Sequence, residues 1–336
     1  MYNKFNMKLK DIYRLIKGLE KKYQIFAPQK IDNRLLFKKL ERAQDFDYSG
    51  KIPDNSFKEV VFPDRHVLYK YEDTKVKPVK YKSPDLALFG LTIFDMKALD
   101  FLKHALEKDP YFQARIRKMV VVGQSYVPEK GDQADQIEKN YEDNVLEHIQ
   151  FDIFIKRVDN DKFKLYTGSQ KGQKILEFLG FNDYDHIQYR SILCQLEPAQ
   201  TNKENIIKTK GKKVWQKWGQ QCLGCTKCTV ACPTCYCYQL EHVVTGENKG
   251  KVVRRWSSCF MDEFSEIAGG NQFLETTGDK IYNWYYHKHV RNHDELCIVG
   301  CVGCGRCDKV CPAGIKRLDV LNSLKSAKNK STSGKK

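Results

Sequence analysis

No cysteine occurs in the first 193 residues of this 336-residue chain; all 13 lie at or after Cys194. That excludes thiol-ligated metal from the N-terminal half and divides the chain into a cysteine-free part and a redox-capable part. No apolar run of about 18 residues occurs, so no segment reads as a membrane span. No G-x-G-x-x-G follows a strand pattern and no Walker loop is present, which removes the recognisable nicotinamide and nucleotide sites. His66, His104, His148 and His186 stand alone and read as surface or packing residues. Acidic residues are in short supply too: 42 Asp and Glu against 58 Lys and Arg leave a net charge of +16. The basic residues are scattered rather than gathered in a stripe, part of the excess sits in the tail Lys325 to Lys336, and no nucleic-acid-binding motif appears. A nucleic-acid-binding protein with a structural metal domain is therefore the minor reading.

What is present is one cysteine pattern written twice. Cys222-Leu-Gly-Cys225-Thr-Lys-Cys228-Thr-Val-Ala-Cys232-Pro233 and Cys301-Val-Gly-Cys304-Gly-Arg-Cys307-Asp-Lys-Val-Cys311-Pro312 are both C-x2-C-x2-C-x3-C-P. Three thiolates two residues apart wrap one corner of an iron–sulfur cubane, and the fourth, before proline, ligates the other cluster. The expectation is two [4Fe-4S] clusters, one on Cys222, Cys225, Cys228 and Cys311, the other on Cys301, Cys304, Cys307 and Cys232. Zinc fits less well, since it takes four ligands, usually as two separated pairs. A disulfide framework fits least, because nothing at the N-terminus resembles a signal peptide and the spacings are short and regular. Reduced thiols and oxygen-labile clusters point to the cytoplasm.

The length predicts two domains, each with enough apolar content (41% overall) to bury a core. The fold class is α+β: an N-terminal α/β scaffold domain over 1–200, an α-helical dicluster ferredoxin-like domain over 214–322, and a disordered basic tail over 323–336. Within the scaffold, Ile12, Leu15, Ile16 and Leu19 mark one face of a helix over 8–22. Strands are expected at 23–27 (ending at Pro28), 57–62, 67–71, 86–91, 119–122, 151–158 and 162–167, with helices at 95–106 and from the Ser169 cap to Gly180. The residues 233–300 between the motifs predict a hairpin (240–244 and 252–256), a helix over 261–268 stopped by Gly269-Gly270, and a second over 279–289 with Ile281, Trp284 and Tyr285 on its apolar side. Helices between paired cluster motifs resemble the α-helical ferredoxin arrangement.

The run Cys232-Pro-Thr-Cys-Tyr-Cys237, then Arg255-Trp-Ser-Ser-Cys259, Ala268-Gly-Gly-Asn271, His287-Lys288 and the second cysteine motif resembles the iron–sulfur β subunit of cytoplasmic [NiFe] hydrogenases (sulfhydrogenases). It also resembles the iron–sulfur subunit of anaerobic sulfite reductase, which belongs to the same wider family. Weaker similarity extends forward through Tyr23-Gln-Ile-Phe-Ala-Pro28, Asn55-Ser-Phe-Lys-Glu-Val-Val-Phe-Pro63 and Leu88-Phe-Gly90. The resemblance implies a non-catalytic electron-transfer subunit. On one side would stand a diaphorase-type subunit that binds flavin and NAD(P). On the other would stand the small and large subunits of a [NiFe] hydrogenase, or the sulfite reductase subunits. Relatives commonly carry further cysteines in G-x-x-x-C-D and V-G-x-x-C contexts, but here those places read Gly90-Leu-Thr-Ile-Phe94-Asp95 and Val122-Gly-Gln-Ser-Tyr126. No cluster is expected in residues 1–193.

Five cysteines fall outside the motifs. Cys235, Cys237 and Cys259, with a fourth ligand, are candidates for a third cluster, against the plainer reading of buried free thiols. Cys297 is read as a neighbour of Cys301 and Cys194 as structural. His287, His289 and His293 read as a solvated helix face. Trp215, Trp218, Trp256 and Trp284 read as a dry shell for the clusters or as ordinary core.

Overall fold

The computed structural model describes residues 7–80, 84–128, 145–159, 161–191 and 197–329. The chain divides into two compact units. One comprises Met1–Val61, Tyr81–Leu193 and Val302–Cys304, the other Phe62–Lys80, Cys194–Cys301 and Gly305–Lys336. Residues 62–80, which a linear division near residue 200 places with the scaffold, thus group with the cysteine-rich unit.

The first unit is built on a sheet of seven strands. These are β1 (Gln24–Ile31), β2 (Arg34–Lys39), β5 (Leu86–Leu91), β6 (Val120–Gln124), β7 (Ile153–Asp159), β8 (Lys162–Thr167) and β9 (Asp185–His186), in the order β2-β1-β5-β6-β7-β8-β9. β1, β5, β6 and β7 run parallel, and β2 and β8 are antiparallel to their neighbours. All six residues of β5 are buried, as expected of a parallel strand covered on both faces. The helix Leu9–Glu20 turns Ile12, Leu15, Ile16 and Leu19 into the same core as Phe89, Val120, Val122, Ile153 and Ile155. Asp152 ties the layers together: its Oδ2 accepts from Val121 N at 2.9 Å and its Oδ1 from Ser169 Oγ at 2.6 Å. Ser169 Oγ in turn accepts from Gly172 N at 3.0 Å, capping the helix Gln170–Phe178 as the sequence predicts. Phe94 and Tyr126, which stand where relatives carry cysteine, pack edge to face with ring centroids 5.0 Å apart.

In the second unit β3 (Arg65–Glu72) and β4 (Lys75–Pro78) join the hairpin β10 (Tyr238–Gly246) and β11 (Lys249–Trp256) in an antiparallel sheet ordered β10-β11-β3-β4. Beside it the helices Lys213–Gln221, Thr277–Tyr286 and Arg317–Asn329 contribute Trp215, Ile281, Trp284, Tyr285, Val320, Leu321 and Leu324 to one buried cluster. No described helix is long and apolar enough to cross a membrane.

Four expectations are corrected. β1 does not end at Pro28. Its pairing with β5 stops at Phe26, so the missing proline N–H leaves no gap in that ladder, and Pro28 stands opposite Phe37 of β2. Residues 57–62 form a helical turn, Lys58–Val61, rather than a strand; Ser56 Oγ accepts from Lys58 N at 3.4 Å, and Phe57, Val61 and Phe62 are still buried. The helix over 261–268 shrinks to the 3-10 turn Asp262–Phe264, because Phe273 N bonds to Ser265 O and Ile267 N to Asn271 O, closing a loop instead of a helical ladder. The tail is helical as far as Asn329, with Leu324 wholly buried, which holds residues 323–329 in order; residues 330–336 lie outside the described residues.

Candidate metal centre

The two cysteine motifs share one backbone path. The helix Lys213–Gln221 ends on Cys222 as its C-cap, the chain turns left-handed at Gly224 (φ +62°) and Thr226 (φ 63°), and a short helix, Lys227–Ala231, carries Cys228 and ends on Cys232. The second motif repeats the turn at Gly303 (φ 81°) and Gly305 (φ 71°), followed by the helix Arg306–Lys309 with Cys307. Left-handed residues on either side of the middle cysteine coil the loop so that its amides turn inward, a geometry that suits an anion. Gly224 N donates to Cys222 Sγ at 3.4 Å. The two short helices pack on each other.

The thiols fall into two electrostatic neighbourhoods. Cys222 interacts with Cys311 and Cys225, and Cys228 with Cys259, Cys222, Cys232 and Cys225. Burial raises the Cys222 thiol and pushes Cys228 up to about 12. In the other neighbourhood Cys232 and Cys301 both act on the Lys288 ammonium, and Cys301 and Cys307 act on the Arg317 guanidinium. Here the Cys232 thiol is held well below its ordinary range, first by a hydrogen bond with Cys235, then by Lys288 and Thr234 against the opposing effect of burial. Cys304 is half-buried, and Cys225 is exposed. Among the described residues, no group of three or more His, Cys, Asp or Glu side chains is set as it stands to hold a metal ion. The fold supplies the gathering of thiols and charges rather than a closed cage.

Lys288 is the functional residue that the cysteine pattern alone does not reveal. It is 3% exposed, and its Nζ donates to Thr234 Oγ1 at 2.9 Å, to Cys232 Sγ at 3.2 Å and to Gly300 O at 3.3 Å, while lying 5.4 Å from the centre of the Trp284 ring. Burial works to neutralise the ammonium, but Cys232, Cys235 and Cys301 hold its pKa well above the ordinary value. A signal for it exists in the sequence, since residues 281, 284, 285 and 288 share one helical face and a lysine ends an otherwise apolar stripe. It follows Thr277–Tyr286 directly, in a π-helical turn, His287–Arg291, a distortion found mostly at functional sites.

That turn also corrects the reading of the histidines as a solvated face. His289 is 4% exposed, stacked on Tyr285, and burial, then Arg317 and Lys288, lower its pKa to about 3. His287 is half-buried and lowered to about 4 by burial, then by Lys288 and Arg291. His293 is likewise not solvated: it is half-buried and its Nδ1 is 3.8 Å from Asp294.

Cys235, Cys237 and Cys259 line one cleft together with Thr234, His287 and Lys288. Cys259 is buried, its thiol pushed up to about 12 by burial, then by Cys237. Cys297 is disulfide-bonded, so it is not among the free thiols, and Cys194 lies outside the described residues. Trp215 and Trp284 belong to the buried helical core, with Cys222, Cys228, Cys235 and Cys307 packed against it. Trp218 joins that cluster from its margin, and Trp256 is tied by its Nε1 to Phe62 O at 2.9 Å.

An anionic iron–sulfur cluster fits these residues. A buried ammonium bonded to a motif sulfur, a guanidinium between two others, and an apolar shell are what a dry, negatively charged group requires. Trp284 Nε1 is buried with no acceptor among the described residues, a donor of the kind that bonds cluster sulfur.

Comparison with known proteins bears on the same stretch. Residues 221–315 match the family of 4Fe-4S dicluster domains. Over 325 residues, covering 90% of this chain and 92% of the relative, the sequence is 27% identical to sulfhydrogenase 2 subunit beta of Pyrococcus furiosus. No solved structure matches. The chain thus carries a 4Fe-4S dicluster domain, and its resemblance to iron–sulfur β subunits extends over nearly its whole length.

Proposed function

We propose that the chain is the electron-transfer subunit of a soluble [NiFe] hydrogenase, passing electrons between a diaphorase-type subunit that binds flavin and NAD(P) and the small and large hydrogenase subunits. Two [4Fe-4S] clusters, when bound, supply one-electron uptake and release. Cys222, Cys225, Cys228 and Cys311 hold one, and Cys301, Cys304, Cys307 and Cys232 the other. The observation that carries this reading is the repeated left-handed loop with its helix, Gly224 to Cys232 and Gly303 to Cys311, within a chain similar over nearly its whole length to a sulfhydrogenase β subunit.

The chain's own residues keep water away and set charge. Trp215, Trp284 and Tyr285 make the interior apolar, while exposed Cys225 brings the edge of one centre to the surface where a partner can dock. The residues 214–322 hold this machinery, and the rest is scaffold. Cys235, Cys237 and Cys259 are candidates for a third cluster, whose fourth ligand would come from the same cleft. The working compartment is the cytoplasm, where the eleven free thiols of the motifs and insert stay reduced.

Anaerobic purification tests the reading in three measurements. Iron and acid-labile sulfide should each reach about eight per chain for two clusters, or about twelve if the third forms. Reduction should produce reversible [4Fe-4S] signals in electron paramagnetic resonance, and affinity capture from the source cells should bring down a flavoprotein and a [NiFe] large subunit. Zinc without labile sulfide would overturn the assignment.

A further inference from the structure

The two centres differ in the charge placed around them. At Cys232 the Lys288 Nζ donates directly to sulfur at 3.2 Å from a fully enclosed position, held there by Thr234 Oγ1 at 2.9 Å and Gly300 O at 3.3 Å. The same ammonium acts on Cys301, and Arg317 acts on Cys301 and Cys307, so three of the four thiols assigned to this centre face a cation. The Asp308 carboxylate works in the opposite sense. Its Oδ1 lies 3.8 Å from Cys307 Sγ, but it also accepts from Arg317 N at 2.6 Å, and the Arg317 guanidinium acts on it as well. Around Cys222 and Cys228, by contrast, the charges at work are other thiols, and burial dominates.

We propose that Lys288 sets the two centres apart in reduction potential. It holds the centre on Cys232, Cys301, Cys304 and Cys307 above the one on Cys222, Cys225, Cys228 and Cys311, so that an electron taken from an external one-electron donor comes to rest on the former. The proposal rests on the two-cluster reading above. Reduction adds one negative charge, and a cation fixed in a dry interior stabilises that charge far more than it would in water. Lys288 acts through Cys232 and is a positioning residue: it neither ligates nor reacts.

The test is a redox titration of the anaerobic, cluster-loaded full chain, followed by electron paramagnetic resonance, with Cys225→Ser used to identify which signal belongs to the first centre. In the wild-type chain, the signal that survives Cys225→Ser should be the one with the higher midpoint. Lys288→Met should lower that midpoint by a factor of about ten in the reduction equilibrium, about 59 mV for one electron, and leave the other signal in place. Lys288→Arg, which keeps the charge, should stay near the wild type.

If the surviving wild-type signal is the lower one, the inference falls whether or not Lys288→Met folds. It falls equally if Lys288→Met leaves the midpoint where it was; in both cases the two-cluster reading stands. A wild-type chain without two reducible clusters would remove the reading itself, and the inference with it.

Discussion

Gly219 faces Gly278 across the packed helices Lys213–Gln221 and Thr277–Tyr286, so closely that a Cβ on Gly219 would stand 2.5 Å from Gly278 N and 2.8 Å from Gly278 Cα. This approach is what places Cys222, the cap of the first helix, over the same apolar core that the second helix fills with Ile281, Trp284 and Tyr285. Neither backbone can yield without moving a whole helix. Gly219→Ala should therefore cost about 1–3 kcal/mol, the usual range for overpacking. The thermal midpoint of the anaerobic protein should fall, and the spectrum of the centre on Cys222 should broaden; an unchanged midpoint would show that the helices do not need this contact.

The equivalent turn positions Thr226 and Gly305 both have left-handed backbone, but only one is glycine. A side chain there costs about 1–2 kcal/mol. Thr226→Gly should raise stability by roughly 1 kcal/mol and Gly305→Thr should lower it by a similar amount. Thermal unfolding of the cluster-loaded chain would show opposite shifts for the two variants, and same-sign shifts would refute the equivalence of the turns.

Removing single thiols tests the exchange of fourth ligands. Cys311→Ser should damage the same resonance signal as Cys225→Ser, although Cys311 belongs to the second motif, and Cys232→Ser should damage the same signal as Cys301→Ser. If each variant instead damages only the signal of its own motif, the exchange does not occur.

His289 makes stability depend on acid. Its pKa in the folded chain is about 3 against 6.5 when unfolded, so the unfolded state binds a proton that the folded state refuses as pH falls between those values. The stability contributed by the neutral ring is present above pH 6.5 and is lost as pH falls from there toward 3. At pH 5.5 the loss should be about 1.4 kcal/mol relative to pH 7.5. Among the described residues neither ring nitrogen has a partner, so His289→Leu should remove this acid dependence without leaving a polar group bare. Denaturant midpoints of wild type and variant at the two pH values check it; parallel losses in both would assign the effect elsewhere.

Several features were legible in the residue order because they are local. The doubled cysteine spacing, the apolar stripe Ile12, Leu15, Ile16 and Leu19, the Ser169 cap and the wholly apolar β5 each follow from a few consecutive side chains and the period of a helix or strand. Where prediction failed, a neighbour distant in sequence or a competing loop decided the outcome. Pro28 is tolerated in β1 because β5 stops pairing before it, and residues 261–268 gave up their helix to bonds with Asn271 and Phe273.

The sequence by itself determined that eight cysteines come in two matching sets, since ligand spacing is a property of adjacent residues. Only the tertiary structure decided that Lys288, 56 residues from Cys232, would be buried with its ammonium on that sulfur, and that the two sets would differ in surrounding charge. Burial and electrostatic coupling depend on distance in space, and the chain order of a lysine among 58 basic residues carries no record of it.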